Sequence, residues 1–471
     1  MIESSDVNDS LLSKGDVLEL ICTLFPWIAD FRQRSLQDYA HAAFDAQPYE
    51  GHCGARDHAM LLLQQCIRRA ALATGMSEDR AYAMATGMAK APVLQTGPHL
   101  HLLIEPDAYY THLFSVTGLK AHHRSTYISY AVSTVKFVER GRKGPGWLKL
   151  DGDSVNVFGL SRSQMIPYSI LARNGIYRFA LKNVDRSGAA GDTAARLQSM
   201  LPQKNFLSAA LAIKCANRCL WNQFFDPVID FLQIDDEDVA DLVAEHLKDG
   251  SSWLARRLFN DGDFAQNLIR HTEALSEGPW CGWFKNSTDL FWGNESGRLI
   301  PLRLVSSQLE ARGAENFVLR FSAADLIDAL HARKIIPNLF LMFIVTAILP
   351  GVRVLGGSRH TVYYPLMRYV LCRALEANGS DSDLLSTIAA DTKPGMWGHR
   401  VLLADTEPFS ELESLRRGDI SVVLERYRAL SLEEACGALE SFATDPMWVH
   451  LKDGMMNRGI SPKSPEWSFS Q

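Results

Sequence analysis

The 471-residue chain is 47% hydrophobic and 22% charged, the balance of a folded protein rather than a disordered one. Its length exceeds what one core usually fills, so two or three packed subdomains are expected. The formal net charge of -6 argues against a nucleic-acid partner, which needs concentrated positive surface to displace counterions. The short basic cluster Arg140, Arg142 and Lys143 reads as a solvated loop.

Residues 1–13 are polar and acidic, without the cationic start and apolar run of a secretory signal. Residues 16–88 carry apolar positions at helical spacing, as in Val17, Leu18, Leu20 and Ile21. Residues 91–95 form a short apolar run that ends in Thr96-Gly97-Pro98, and a helical pattern follows directly, the order of strand, tight turn and helix that opens a nucleotide-type α/β unit. A second strand fits 126–137, and 144–158 alternates as a hairpin around Asp151-Gly152. The sheet is therefore expected to be mixed.

Residues 205–276 read as a helical insertion whose helices have acidic starts such as Asp235-Asp236-Glu237-Asp238. Strand character returns at 289–292, 299–304 and 351–357, while 371–471 reads as helical with polar interruptions. The apolar stretch 339–349 is shorter than the ~20 residues of a spanning helix and reads as buried core. The expected domains are 1–90 (helical), 91–204 (first part of the core, with the hairpin), 205–276 (helical insertion), 277–370 (second part of the core) and 371–471 (helical). A cytoplasmic location with no membrane partner follows. Eight scattered cysteines fit reduced thiols. Cys215 and Cys219 lie one helical turn apart without a completing ligand set, and read as core residues. No metal site is evident.

Thr96, Gly97 and Pro98 with His99 and His101 form the densest candidate site. A glycine turn entering a helix leaves backbone N–H groups at the positive end of its dipole, suited to phosphate, and two histidines can donate to phosphate oxygens. His99-Leu100-His101-Leu102 looks like a degenerate form of the His-x-Gly-His motif of class I nucleotidylyl transferases and aminoacyl-tRNA synthetases; incidental histidines at a strand-to-helix corner are the competing reading. Gly356, Gly357 and Ser358 follow a strand, where two glycines allow close backbone approach and Arg359 can grip a carboxylate or phosphate with two parallel bonds. His360, Tyr363 and Tyr364 are candidate substrate contacts, with core aromatics the other reading for the tyrosines. Two weaker signals are Ser161-Arg162-Ser163, loosely like a mobile phosphate loop, and Cys53 beside His52, a nucleophile next to a base.

Three segments in chain order resemble the cysteine-adding enzyme family of bacillithiol biosynthesis. They are Thr96-Gly97 with Leu103, Pro106, Tyr110 and Thr111; Asp289-Leu290-Phe291 to Gly297-Arg298-Leu299-Ile300-Pro301-Leu302; and Ile336-Pro337-Asn338 through Ile348-Leu349-Pro350 to Gly356-Gly357 and Tyr363-Tyr364. The resemblance spans 91 to about 370. It implies a Rossmann-like nucleotidyltransferase-type core with a mixed sheet and helical insertions. It also implies a ligase that joins cysteine or another amino acid to the amine of a small molecule. ATP is the expected activator of the acid, with the 96–101 turn on its phosphates and Arg359 orienting the carboxylate. The family's acidic Glu-Asp-His-Asp segment is replaced by Ser133-Thr134-Val135-Lys136, so Ser133 and Thr134 become substrate-binding candidates and the substrate is expected to differ. A secondary-metabolite tailoring enzyme on the same fold and a noncatalytic ligand-binding protein remain as alternatives. The oligomeric state is not specified by the sequence.

Overall fold

A computed structural model of the chain describes residues 12–139, 141–183, 191–260, 263–284, 287–312, 316–379, 381–415, 420–457, 459–461 and 463–468. Arg140 of the basic cluster and most of the polar start lie outside them. Five strands, Val93–Gln95, Thr126–Tyr130, Asp230–Ile234, Arg353–Gly356 and Gly395–Trp397, form a sheet in which every pairing is parallel. In space the Gly395–Trp397 strand lies beside Arg353–Gly356, then come Val93–Gln95, Thr126–Tyr130 and Asp230–Ile234. The chain thus builds outward from Val93–Gln95 on one side, then returns and builds on the other. Because all five strands run the same way, their carboxyl ends share one edge.

Two antiparallel sheets stand apart. One has five strands in the spatial order Val318–Arg320, Gln308–Ala311, Arg298–Val305, Phe291–Glu295 and Ile335–Pro337; the other has three, Trp147–Leu150, Asp153–Asn156 and Lys182–Asn183. Parallel and antiparallel strands are therefore segregated, and the single mixed sheet expected from the sequence is corrected. The hairpin is where the turn chemistry puts it: Asp151 and Gly152 both have positive φ, 50° and 78°, as a two-residue type I′ loop requires. Two regions read as helical each supply an edge strand of the parallel sheet, Asp230–Ile234 from 205–276 and Gly395–Trp397 from 371–471.

The first ninety residues form helices Lys14–Leu24, Pro26–Ala29, Leu36–Phe44, Gly54–Ala73 and Glu78–Lys90, three of them started by Ser13, Ser35 and Ser77 accepting from a backbone N–H of the first turn. Polar groups fasten these helices to the sheet. Tyr39 donates to the Trp397 carbonyl at 2.8 Å. The Arg353 guanidinium donates to the carbonyls of Ala42, Ala43 and Asp45 at 3.2, 3.3 and 2.6 Å, which satisfies the last carbonyls of Leu36–Phe44 and places positive charge at the negative end of its dipole. Arg56 makes two 2.9 Å bonds to Asp391. The apolar run 339–349 is buried as helix Leu339–Phe343 passing into a π-helical segment, Ile344–Ile348. No described helix is long and apolar enough to cross a membrane.

On helix Ala209–Phe224, Trp221 stacks on Phe225 and Phe231 at 4.4 and 4.5 Å. Four residues earlier, buried Asn217 accepts from the Leu103 N–H at 2.7 Å and donates to the His101 carbonyl and the Gln233 side chain, both at 2.8 Å. An Asn217→Ala variant strands three buried polar groups, each worth about 1–3 kcal/mol, so urea unfolding should show a loss of about 3 kcal/mol or more. A second expectation concerns pH. Burial holds His246 down to about 3, and both its ring nitrogens lack hydrogen-bond partners among the described residues. With the folded pKa below the unfolded value near 6.5, the unfolded state binds the extra proton between these limits. The stability from the neutral ring is full above about pH 6.5 and is lost as pH falls toward 3. Across that window a His246→Leu variant should show a stability slope shallower than wild type by about 1.4 kcal/mol per pH unit, measured by urea melts at several pH values.

Candidate functional site at the carboxyl edge of the parallel sheet

Gln95, the last residue of its strand, is fully buried, and its amide donates to the Gly398 carbonyl at 3.0 Å and the Ser115 hydroxyl at 3.1 Å while accepting from the Gly97 N–H at 3.0 Å. Thr96 gives both its N–H and its hydroxyl to the Leu355 carbonyl, at 2.8 and 3.0 Å. Leu100 N–H reaches the Val132 carbonyl at 3.1 Å. These bonds stitch together the loops that leave four of the five strands.

The turn does not run straight into a helix. Residues 96–105 are irregular, and the helix is Pro106–Ala121, started by Pro106 at its first position and capped by Glu105, whose carboxylate accepts from Ala108 N–H. The expected helix N-terminus at the glycine turn is thus corrected, and the real N-terminus carries carboxylates of its own: Glu105 and Asp107, the latter ion-paired with Arg400. Burial, then the nearby Asp107, push the Glu105 carboxyl above its usual range.

Within this loop the His101 N–H bonds to the His99 carbonyl at 2.7 Å, a turn that sets the two rings 6.2 Å apart and nearly parallel, 18° between planes. Both face Glu139, on the loop after Thr126–Tyr130: His99 Nδ1 lies 2.7 Å and His101 Nε2 3.7 Å from Glu139 Oε1. His99 and Glu139 are exposed and His101 half-buried. Partial desolvation by the surrounding loops works the other way, but hydrogen bonds from His101 and His99 hold the Glu139 carboxylate well below its usual range.

His399 follows the strand Gly395–Trp397 and sits between the loops. Its Nδ1 is 2.8 Å from Thr111 Oγ1. That hydroxyl spends its proton on the Asp107 carbonyl at 2.7 Å, so the ring nitrogen donates and Nε2 keeps its lone pair, with no hydrogen-bond partner among the described residues. Burial, followed by the Arg400 charge, keeps this imidazole neutral. A Cβ on Gly97 would stand 2.2 Å from His399 Cβ, and one on Gly357 would stand 3.1 Å from the ring.

The other residues expected to bind a ligand are mostly engaged by the chain. Pro98 is buried. Gly356 makes room for the His360 ring, which a Cβ would meet at 2.0 Å. His360 is buried without a hydrogen-bond partner among the described residues, lowered to about 3 by that burial, and stacks on buried Tyr364 at 5.1 Å and 16°; both pack as core aromatics. Half-buried Tyr363 packs edge-on against His360 at 5.4 Å. Ser358 Oγ is 3.4 Å from the Ser441 carbonyl, and Arg359 spends its fork on Asp445 at 2.6 and 2.9 Å, so it is not free to orient a substrate carboxylate. Ser133 and Thr134 donate their N–H groups to buried Asp236 at 2.6 and 2.7 Å, with the Ser133 hydroxyl at 3.1 Å and Tyr130 also donating.

Elsewhere, Ser161 caps the short helix Arg162–Met165, Cys53 is buried while His52 pairs with Asp57 at 2.8 Å, and Cys219 is exposed rather than in the core. The sequence reading missed Glu139, Glu105 and His399. The only local signal for His399 is the Pro394-Gly395 and Gly398 punctuation around a three-residue strand. No known family model matches this chain, and comparison with curated proteins gives no match.

The two glycines beside His399 should respond differently to a methyl group. Gly97→Ala forces backbone or ring movement and should cost about 1–3 kcal/mol, read as a lowered urea midpoint. In Gly357→Ala the contact is looser and the loss should stay below about 1 kcal/mol.

Proposed function

We propose that the chain forms a C–N bond between a carboxylic acid, cysteine or another amino acid, and the amine of a small molecule, with ATP activating the acid at the carboxyl edge of the parallel sheet. The observation that carries this reading is His399, a neutral imidazole with a free lone pair held where the strand order reverses, between Val93–Gln95 and Arg353–Gly356. Open α/β sheets take their ligands in the crevice at such a reversal, which favours a Rossmann-like, nucleotidyltransferase-type core. The resemblance of the 91–370 segments to cysteine-adding enzymes supports the choice of reaction. The amine nitrogen attacks the activated carbonyl, the carbon–oxygen bond to the phosphate leaving group breaks, and His399 Nε2 takes the proton that the nitrogen sheds. Thr111 fixes the tautomer this step needs.

One observation favours a second reading. The groups expected to grip phosphate or carboxylate, the N–H groups of Thr96 and Gly97 and the Arg359 guanidinium, are already bonded within the chain, as in a binding protein without chemistry. The full-length protein incubated with ATP, an amino-acid panel and small amines, with product followed by mass spectrometry, separates the two. The ligase reading expects ATP consumption that requires both acid and amine, with turnover lowered about 100-fold in His399→Ala at a near-unchanged unfolding midpoint. Product formed without ATP, or unchanged turnover in His399→Ala, overturns it. Ligand-induced thermal shifts with no product favour the binding protein.

A further inference from the structure

His99, His101 and Glu139 converge at one point of the edge, each offering one ligand atom, and these atoms lie within 4.8 Å of one another. We propose that these three side chains bind a divalent cation of the zinc class, leaving a fourth coordination position for water or a substrate oxygen. The inference rests on the three side chains alone and not on the ligase reading.

The donor set selects the metal. Two imidazoles and one carboxylate suit a borderline cation, whereas magnesium and calcium prefer all-oxygen shells. Tetrahedral zinc with bonds of about 2.0–2.1 Å sets neighbouring donor atoms about 3.3 Å apart. The two separations from Glu139, 2.7 Å to His99 and 3.7 Å to His101, bracket that spacing, and with all three donor atoms within 4.8 Å of one another the set closes on an ion with side-chain shifts of at most about 1.5 Å. His99 is exposed and has room for that movement.

The backbone under the donors is braced. Leu100, between the histidines, is buried and bonded to Val132, the His101 carbonyl is held by Asn217, and the Glu139 N–H reaches the Lys143 carbonyl at 3.0 Å. Burial of His101 works against positive charge there, while Glu105 and Asp107, the latter paired with Arg400, add negative potential that favours a cation. Glu139 Oε1 contacts His99 Nδ1 at 2.7 Å and lies 3.7 Å from His101 Nε2, and an entering metal replaces those contacts with ligand bonds.

The test is titration of cobalt(II), then zinc(II), into the full-length protein after chelator treatment, read by the visible d–d bands of low-coordinate cobalt and by calorimetry. The expected result is one equivalent bound, bleaching of the cobalt bands by one equivalent of zinc, and no displacement by excess magnesium. His101→Ala and Glu139→Gln should each weaken binding at least about 100-fold, while C215S/C219S and His52→Ala bind as wild type. His99→Ala, at an exposed position, serves as the variant that folds if His101→Ala does not. Absence of stoichiometric binding, unchanged affinity in the His99 or Glu139 variant, or loss of binding in the cysteine variant overturns the assignment, and displacement by magnesium overturns the zinc class. None of these readouts requires turnover, so metal binding and the proposed ligase reaction can fail separately.

Discussion

The Gln95 amide is the constraint on which the carboxyl edge depends. A strand in a parallel sheet ends with backbone groups that have no ladder partner beyond it, and here they are buried, where an unpaired polar group is costly. Gln95 projects one amide into that position and satisfies the Gly398 carbonyl, the Gly97 N–H and the Ser115 hydroxyl together. It thereby fixes the exits of two strands against the helix Pro106–Ala121. The close approach of Gly97 to His399, and the Thr111 hydrogen bond that sets the His399 tautomer, follow from that fixation.

What was legible in the sequence was local. Asp151-Gly152 announces its hairpin because positive φ at both positions is a property of those two residues, and 299–304 reads as a strand because it is apolar and follows turn-forming residues ending in Gly297, within the observed strand Arg298–Val305. The strands Gly395–Trp397 and Asp230–Ile234 were hidden because neighbouring helical periodicity outweighs strands of only three and five residues. The helix expected directly after Gly97 had the same origin. Leu100, Leu102, Leu103 and Ile104 imitate helical spacing, yet all are buried in an irregular loop whose backbone is satisfied in part by Asn217, more than a hundred residues away.

The candidate site was half legible for a similar reason. His99 and His101 stand out as a pair, and Thr96, Gly97, Gly356 and Gly357 do border the place where the sheet order reverses. Their partners come from elsewhere: Glu139 from the loop after the next strand and His399 from the far end of the chain. Arg359 shows the converse failure. Its fork suits a carboxylate, and the chain supplies one in Asp445.

Along this one edge polar clusters separate into two kinds, and the separation is itself an argument about function. Around Asp236 the carboxylate accepts from Tyr130, the Ser133 N–H and hydroxyl and the Thr134 N–H, and Lys214 bridges Asp235 and Asp238 at 2.8 Å each, all within the interior. Both Asp236 oxygens are engaged, only the buried Asp235 Oδ2 of this network lacks a hydrogen-bond partner among the described residues, and the network holds two strand exits together. At the other cluster the donors are few and partly exposed: a histidine pair sharing one carboxylate oxygen, and an imidazole nitrogen with no partner among the described residues. A chain that saturates its polar groups at Asp236 and leaves them unsaturated at His99, His101, Glu139 and His399 has reserved bonding capacity at the latter. On the proposed reading, a ligand's own donors and acceptors complete the shell at that reserved capacity beside the strand-order reversal.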